Sequence, residues 1–289
     1  MILRSMLFVP GDSEKKLSKG AGTGADALIL DLEDSVSVER IDIARGMVRD
    51  YMRARPDRGK QQLWVRINPL RSPLSLPDLA AIIAGGPDGF VLPKTDSPED
   101  VRTLDHYVTA LEVREGLPVG HTRIITVSTE VPGALFSLGG YAGVSKRLAG
   151  LTWGAEDLST AIGASTNRDE SGAFELTFRI ARSLCLLAAS HAGVQAIDTL
   201  TVDFRDSKAL SLEVRRARRE GFTGKIAIHP DQVAPINEGF SPDPEELRHA
   251  QRIVEAFAAA QGAGTVQLDG KMVDRPHLTQ AQRILAMAR

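Results

Sequence analysis

The sequence predicts an α/β protein folded as a (β/α)8 TIM barrel followed by a C-terminal helical and turn extension. Eight apolar runs, at residues 3–9, 27–31, 63–67, 89–92, 123–128, 150–153, 196–202 and 225–228, have the length of buried strands. Their middles lack polar alternation, as parallel strands covered on both faces should. Helical patterns separate them, and charged residues collect at their C-terminal ends. Strand and helix alternating in this way point to a closed parallel barrel. An open doubly wound sheet is the rival fold, and the turn after the first run lacks the glycine-rich dinucleotide loop it would need.

The helices follow in order. Residues 13–19 begin one after a Gly-Asp turn, and residues 38–53 carry apolar positions at helical spacing. Residues 76–84 follow a proline-rich turn. Ser97-Pro-Glu-Asp opens the next helix with a cap, a proline in the first turn and two acids. Residues 132–148, 173–192 and 207–220 complete the set around the barrel, expected to occupy residues 1–240. The extension, residues 241–289, reads as a long amphipathic helix over 244–260, a turn with extended arms at 267–274, and a closing helix over 279–287.

A chain of 289 residues buries a large core without staples. Its formal net charge of −2 argues against a nucleic-acid surface. No block of like charges and no low-complexity segment stands out. No run approaches membrane-spanning length, and the first residues lack a signal-peptide layout, so a soluble cytoplasmic protein is expected. The single cysteine, Cys185, lies in SLCLLAAS and reads as a small buried hydrophobe.

Active sites of such barrels form where the strands end. Here the ends present Asp31-Leu-Glu-Asp34, Arg66-Ile-Asn68, Pro93-Lys94, Thr129-Glu130, Gly154-Ala-Glu-Asp157 and His229-Pro230. Several carboxylates with no cysteine suit a hard cation, Mg²⁺ rather than zinc. Strand alternation sets Asp31 and Glu33 on one face and Asp34 on the other, and turns Glu156 away from Asp157 into a packing ion pair. His229 reads as structural. Arg4, Lys15, Lys16 and Lys19 are solvated or grip phosphates.

The segments RSMLFVPGD from Arg4, LILDLEDSV from Leu28, VRIN from Val65, LPK from Leu92, TE from Thr129, WGAEDL from Trp153, IHP from Ile228 and GKMVDRP from Gly270 together resemble the citrate lyase beta-subunit-like family of the HpcH/HpaI aldolase superfamily. The resemblance spans nearly the whole chain. It implies Glu130 and Asp157 as Mg²⁺ ligands, with Glu130 also meeting substrate. It implies Arg66 as a catalytic and substrate-binding residue, and the backbone of Gly154 and Ala155 as a keto-acid carboxylate site. It implies Asp274 as a catalytic acid or base that enters a neighbouring subunit's site in a homo-oligomer, a trimer or hexamer. The reaction implied is cleavage or formation of a C–C bond in a 3-hydroxy acyl-CoA thioester, giving a keto acid and a shorter acyl-CoA. A thioesterase on the same substrates, a carrier-protein-dependent citrate lyase subunit and a free-acid aldolase are the alternatives. The sequence reads STEVPGALF where many relatives carry an ESARG-like turn, which leaves acyl preference open.

Overall fold

The computed structural model describes residues 2–260 and 262–288. Eight parallel strands close into a barrel in sequence order. They are β1 (Ser5–Pro10), β2 (Ala27–Asp31), β3 (Gln62–Arg66), β4 (Gly89–Leu92), β5 (Arg123–Val127), β6 (Leu148–Thr152), β7 (Gln195–Asp198) and β8 (Gly224–Ala227), with β1 pairing β8 to complete the ring. Around them run α1 (Glu14–Gly20), α2 (Ile41–Arg53), α3 (Ser75–Ile82), α4 (Pro98–Glu115), α5 (Ala155–Ile162), α6 (Leu176–Ala192), α7 (Ser207–Glu220) and α8 (Val233–Phe240).

The alternation of each strand divides the core into two layers. Met6, Ile29, Trp64, Val91, Ile125 and Ile226 fill the barrel interior, while Leu7, Leu28, Val65, Phe90 and Leu151 pack outward against the helices. Trp64 takes its space from Gly89: a Cβ there would stand 2.3 Å from the indole ring.

Three expectations need correction. Residues 132–148 form two short 3-10 turns, Pro132–Phe136 and Leu138–Tyr141, not a helix. Gly133, Gly139, Gly140 and Gly143 give up the propensity a helix needs, and Gly143 sits at φ +73°. The seventh strand stops at Asp198, not at residue 202. The stretch expected as a strand end at 154–157 runs into helix α5, and α8 is a further helix that the sequence pattern did not place.

After the barrel come α9 (Pro244–Ala259), the hairpin of β9 (Thr265–Leu268) and β10 (Lys271–Asp274), and α10 (Arg275–Met287). The hairpin turns through Asp269 and Gly270, both at positive φ (52° and 75°), which is the two-residue turn that matches strand twist. This tail packs its own small core of Ala250, Ile253, Phe257, Val273 and Ala281. Among the described residues no helix is long and apolar enough to cross a membrane.

Candidate active site

A cavity of about 680 Å³ opens at the C-terminal ends of the strands. Asp31, Arg66, Glu130, Gly154, Ala155 and Asp157 all line it. The barrel therefore brings together every sequence-expected site residue except Asp274. That residue lies in the extension at the start of α10, paired with His277, and is not among those lining the cavity.

Arg66 ends β3, and its Cζ stands over Phe8, 4.5 Å from the ring centre. Its Nε and Nη2 donate to the two carboxylate oxygens of Asp31 at 2.6 and 2.7 Å. Its Nη1 stands 2.9 Å from Glu33 and 3.3 Å from Asp34. The fork geometry fixes the guanidinium at the cavity wall. Asp34 thus shares this cluster with Asp31 and Glu33, against the face expected for it. The strand ends at Asp31, and the turn that follows does not keep strand alternation.

Glu130 is 6% exposed and its Oε2 accepts the Lys94 N–H at 2.6 Å. Burial, and then the charge of Asp157, push its carboxyl up to about 8. Burial likewise raises Glu33, whose Oε2 lies within ion-pair range of Arg66 but has no partner at hydrogen-bonding geometry. Lys94 Nζ pairs with Glu33 and stands 3.1 Å from Asp34 and 3.3 Å from Asp157.

Asp157 is not at a strand end but in the first turn of α5. Gly154 caps that helix, and its N–H donates to Thr129 Oγ1 at 3.2 Å. The Ala155 N–H begins the helix and has no intrahelical acceptor, so it is free to meet an anion. Gly154 is required by space: a Cβ there would lie 2.6 Å from Glu130 Cγ. Trp153, just before it, is anchored by its indole N–H to Asp198 at 2.7 Å.

Two further expectations shift. Glu156 is exposed at the cavity wall and accepts from Asn167 at 2.8 Å, so it makes no packing ion pair. Arg4 is held by Asp26 at 2.8 Å, away from the cavity, whereas Lys16 and Lys19 line it. His229 lines the same cavity, and its stacking on Phe204 and the Asp231 N–H that its Nδ1 accepts at 3.3 Å agree with the structural role expected for it.

The donor set fits a hard divalent cation. Glu130 is buried, and its carboxyl is raised by that burial and then by the charge of the half-exposed Asp157, a cost that a cation between the two carboxylates relieves. Among the described residues no group of three or more His, Cys, Asp or Glu side chains forms a closed metal cage. Two carboxylates at an open cavity leave coordination positions for water and substrate oxygens, as Mg²⁺ sites do.

Fold and site together define a (β/α)8 barrel with an oxygen-lined cation site at its C-terminal mouth. Residues 4–230 match the HpcH/HpaI aldolase/citrate lyase family, and the chain belongs to it. It is 36% identical over 288 residues to citrate lyase subunit beta of Haemophilus influenzae, covering 99% of this chain and 97% of that one. It is 33% identical over 297 residues to the mitochondrial citramalyl-CoA lyase of Rattus norvegicus, covering 99% and 86%. The solved structure of the CitE protein from Mycobacterium tuberculosis in complex with magnesium, acetoacetate and coenzyme A superposes with a TM-score of 0.79. It is 32% identical and the match covers 99% of this chain and 98% of that one.

Proposed function

We propose that this protein is a Mg²⁺-dependent carbon–carbon lyase that cleaves a 3-hydroxy dicarboxylic acyl-CoA, such as malyl-, citramalyl- or citryl-CoA, into a keto acid and a shorter acyl-CoA, or forms it from them. The observation that carries the reading is the placement of Glu130, Asp157 and Arg66 on one cavity that also reaches Lys16 and Lys19. The first three suit the reacting end of such a thioester. The two lysines suit an anionic tail. The relatives that act on or bind coenzyme A derivatives support the same substrate class.

Held by Glu130 and Asp157, Mg²⁺ would supply Lewis-acid polarisation of substrate oxygens. Arg66, locked by Asp31, faces the cavity with its position already set, so it stabilises an oxygen that gains charge without reorganising. The Ala155 N–H, at the start of α5, holds a keto-acid carboxylate, with Gly154 keeping the approach clear. Asp274 moves the proton to or from the thioester α-carbon, reaching the cavity of a neighbouring subunit in a homo-oligomer. The extension, residues 241–289, is the arm that carries it.

The test is a panel of malyl-, citramalyl-, 3-hydroxy-3-methylglutaryl- and citryl-CoA, with Mg²⁺ or EDTA, and products read by mass spectrometry. A keto acid plus a shortened acyl-CoA, lost with EDTA and in Asp157→Ala, is the expected result. Free coenzyme A without C–C cleavage would replace the lyase with a thioesterase. No turnover of any thioester, with cation binding intact, would replace it with a carrier-protein-dependent subunit or a free-acid aldolase.

A further inference from the structure

Lys94 follows β4 with its backbone at φ +49°, in the left-handed region that a side chain rarely adopts. Glycine would sit there more cheaply. A strained residue at a functional rim needs contacts that hold it, and Lys94 has two sets. Its main-chain N–H donates to Glu130 Oε2 at 2.6 Å. Its ammonium pairs with Glu33, lies 3.1 Å from one oxygen and 3.2 Å from the other of Asp34, and stands 3.3 Å from Asp157. One residue therefore touches both carboxylates read as cation ligands, the first through its backbone and the second through its side chain.

The charge balance makes this consequential. Asp31, Glu33, Asp34, Glu130 and Asp157 gather at one wall, and Arg66 spends its donors on the first three. Lys94 is the cation placed against Asp157. A fixed positive charge at that range lowers the attraction any entering cation feels.

We propose that Lys94 is the positioning residue and standing counter-charge of the cation site: its backbone orients Glu130, and its ammonium neutralises Asp157, Glu33 and Asp34 so that the divalent cation is held loosely. The inference rests on the reading of Glu130 and Asp157 as cation ligands. Loose binding follows because the ion shares Asp157 with an ammonium that never leaves. A residue that merely braced the loop would, when removed, weaken cation binding or leave it unchanged. A standing counter-charge, when removed, strengthens it.

The experiment is Mn²⁺ titration of the full chain followed by electron paramagnetic resonance. Lys94→Met removes the charge at similar length, and Lys94→Gly removes it while relaxing the backbone. Lys94→Arg restores the charge. Expected results are Mn²⁺ binding to the wild type that Asp157→Ala abolishes, and affinity raised about tenfold or more in Lys94→Met and Lys94→Gly. Lys94→Arg should fall back toward the wild type. The metal-free melting temperature of Lys94→Met should drop and recover with Mn²⁺. Should Lys94→Met fail to fold, Lys94→Gly decides the matter. Unchanged or weaker Mn²⁺ binding in the uncharged variants, with the wild type binding normally, overturns the counter-charge alone. A wild type that binds no Mn²⁺ sensitive to Asp157→Ala overturns the cation site and the counter-charge together.

Discussion

Replacing Gly154 by alanine adds one carbon where Glu130 already stands. The new Cβ would meet Glu130 Cγ at 2.6 Å, Oε1 at 3.0 Å and Cδ at 3.2 Å. Gly154 has φ −117°, so alanine brings no backbone strain and the effect is steric. Glu130 has little room to retreat, because it is buried and its Oε2 is held by the Lys94 N–H at 2.6 Å. The carboxylate must shift by several tenths of an ångström or the start of α5 must move. Overpacking of this kind costs about 1–3 kcal/mol. In a chain of this size each kcal/mol lowers the melting temperature by roughly 2–4 °C. The loss of function should be larger, because displacing a positioned group by ~1 Å costs on the order of 100-fold in rate. Differential scanning calorimetry, Mn²⁺ titration and turnover, run on one preparation, check both halves. Gly46→Ala, in the middle of α2 with open space around it, is the control and should stabilise by about 0.5–1 kcal/mol. A Gly154→Ala protein with wild-type Mn²⁺ affinity and turnover would refute the claim that this glycine exists to admit Glu130.

Glu112 is fully buried, accepts Arg147 at 2.6 and 2.9 Å and the Gly120 and Thr122 N–H groups at 2.8 Å each, so Glu112→Gln should cost about 3–5 kcal/mol by denaturant unfolding at neutral pH. Burial alone would raise its carboxyl, but Arg147 and the two backbone donors hold it below the ordinary value. Its contribution is then complete above the unfolded-state pKa, near about 4.3, and is lost as pH falls through the folded one, so the gap between wild type and variant should narrow in acid; a gap that widens there contradicts the assignment. Burial pushes the Cys185 thiol up to about 12, so a disulfide-exchange reagent should titrate it only after unfolding. Asp274→Asn and Asp157→Ala should each lose activity by at least about 100-fold, and mixed oligomers made by co-expression should recover turnover that neither has alone. Failure of the mixture to recover would place the proton transfer on another residue.

The barrel was legible because its cause is local. Buried parallel strands must be short and apolar throughout, so runs such as LILD and LWVR declare themselves, and the charged residues just beyond them mark the rim. The candidate cluster of Arg66, Glu130 and Asp157 was legible for the same reason, since strand ends in this fold converge on one mouth. Errors came where a local rule was carried too far. Strand alternation misplaced Asp34 and Glu156, because both lie after the strand has ended, in a turn and in helix α5. The alternation of strand and helix suggested a helix at 132–148, where four glycines favour tight turns.

What the chain determined by itself is therefore the architecture, the mouth at which charged residues gather and the oxygen-rich character of the side chains there. What only the tertiary structure decided is how those side chains are held. Lys94 touches Glu130 through its backbone and Asp157 through its side chain. Gly154 yields space to Glu130, and Asp198 anchors Trp153 just ahead of the turn into α5. Each of these contacts joins residues dozens of positions apart. Its energy depends on distance and exclusion of water after the ring has closed, which no local pattern encodes.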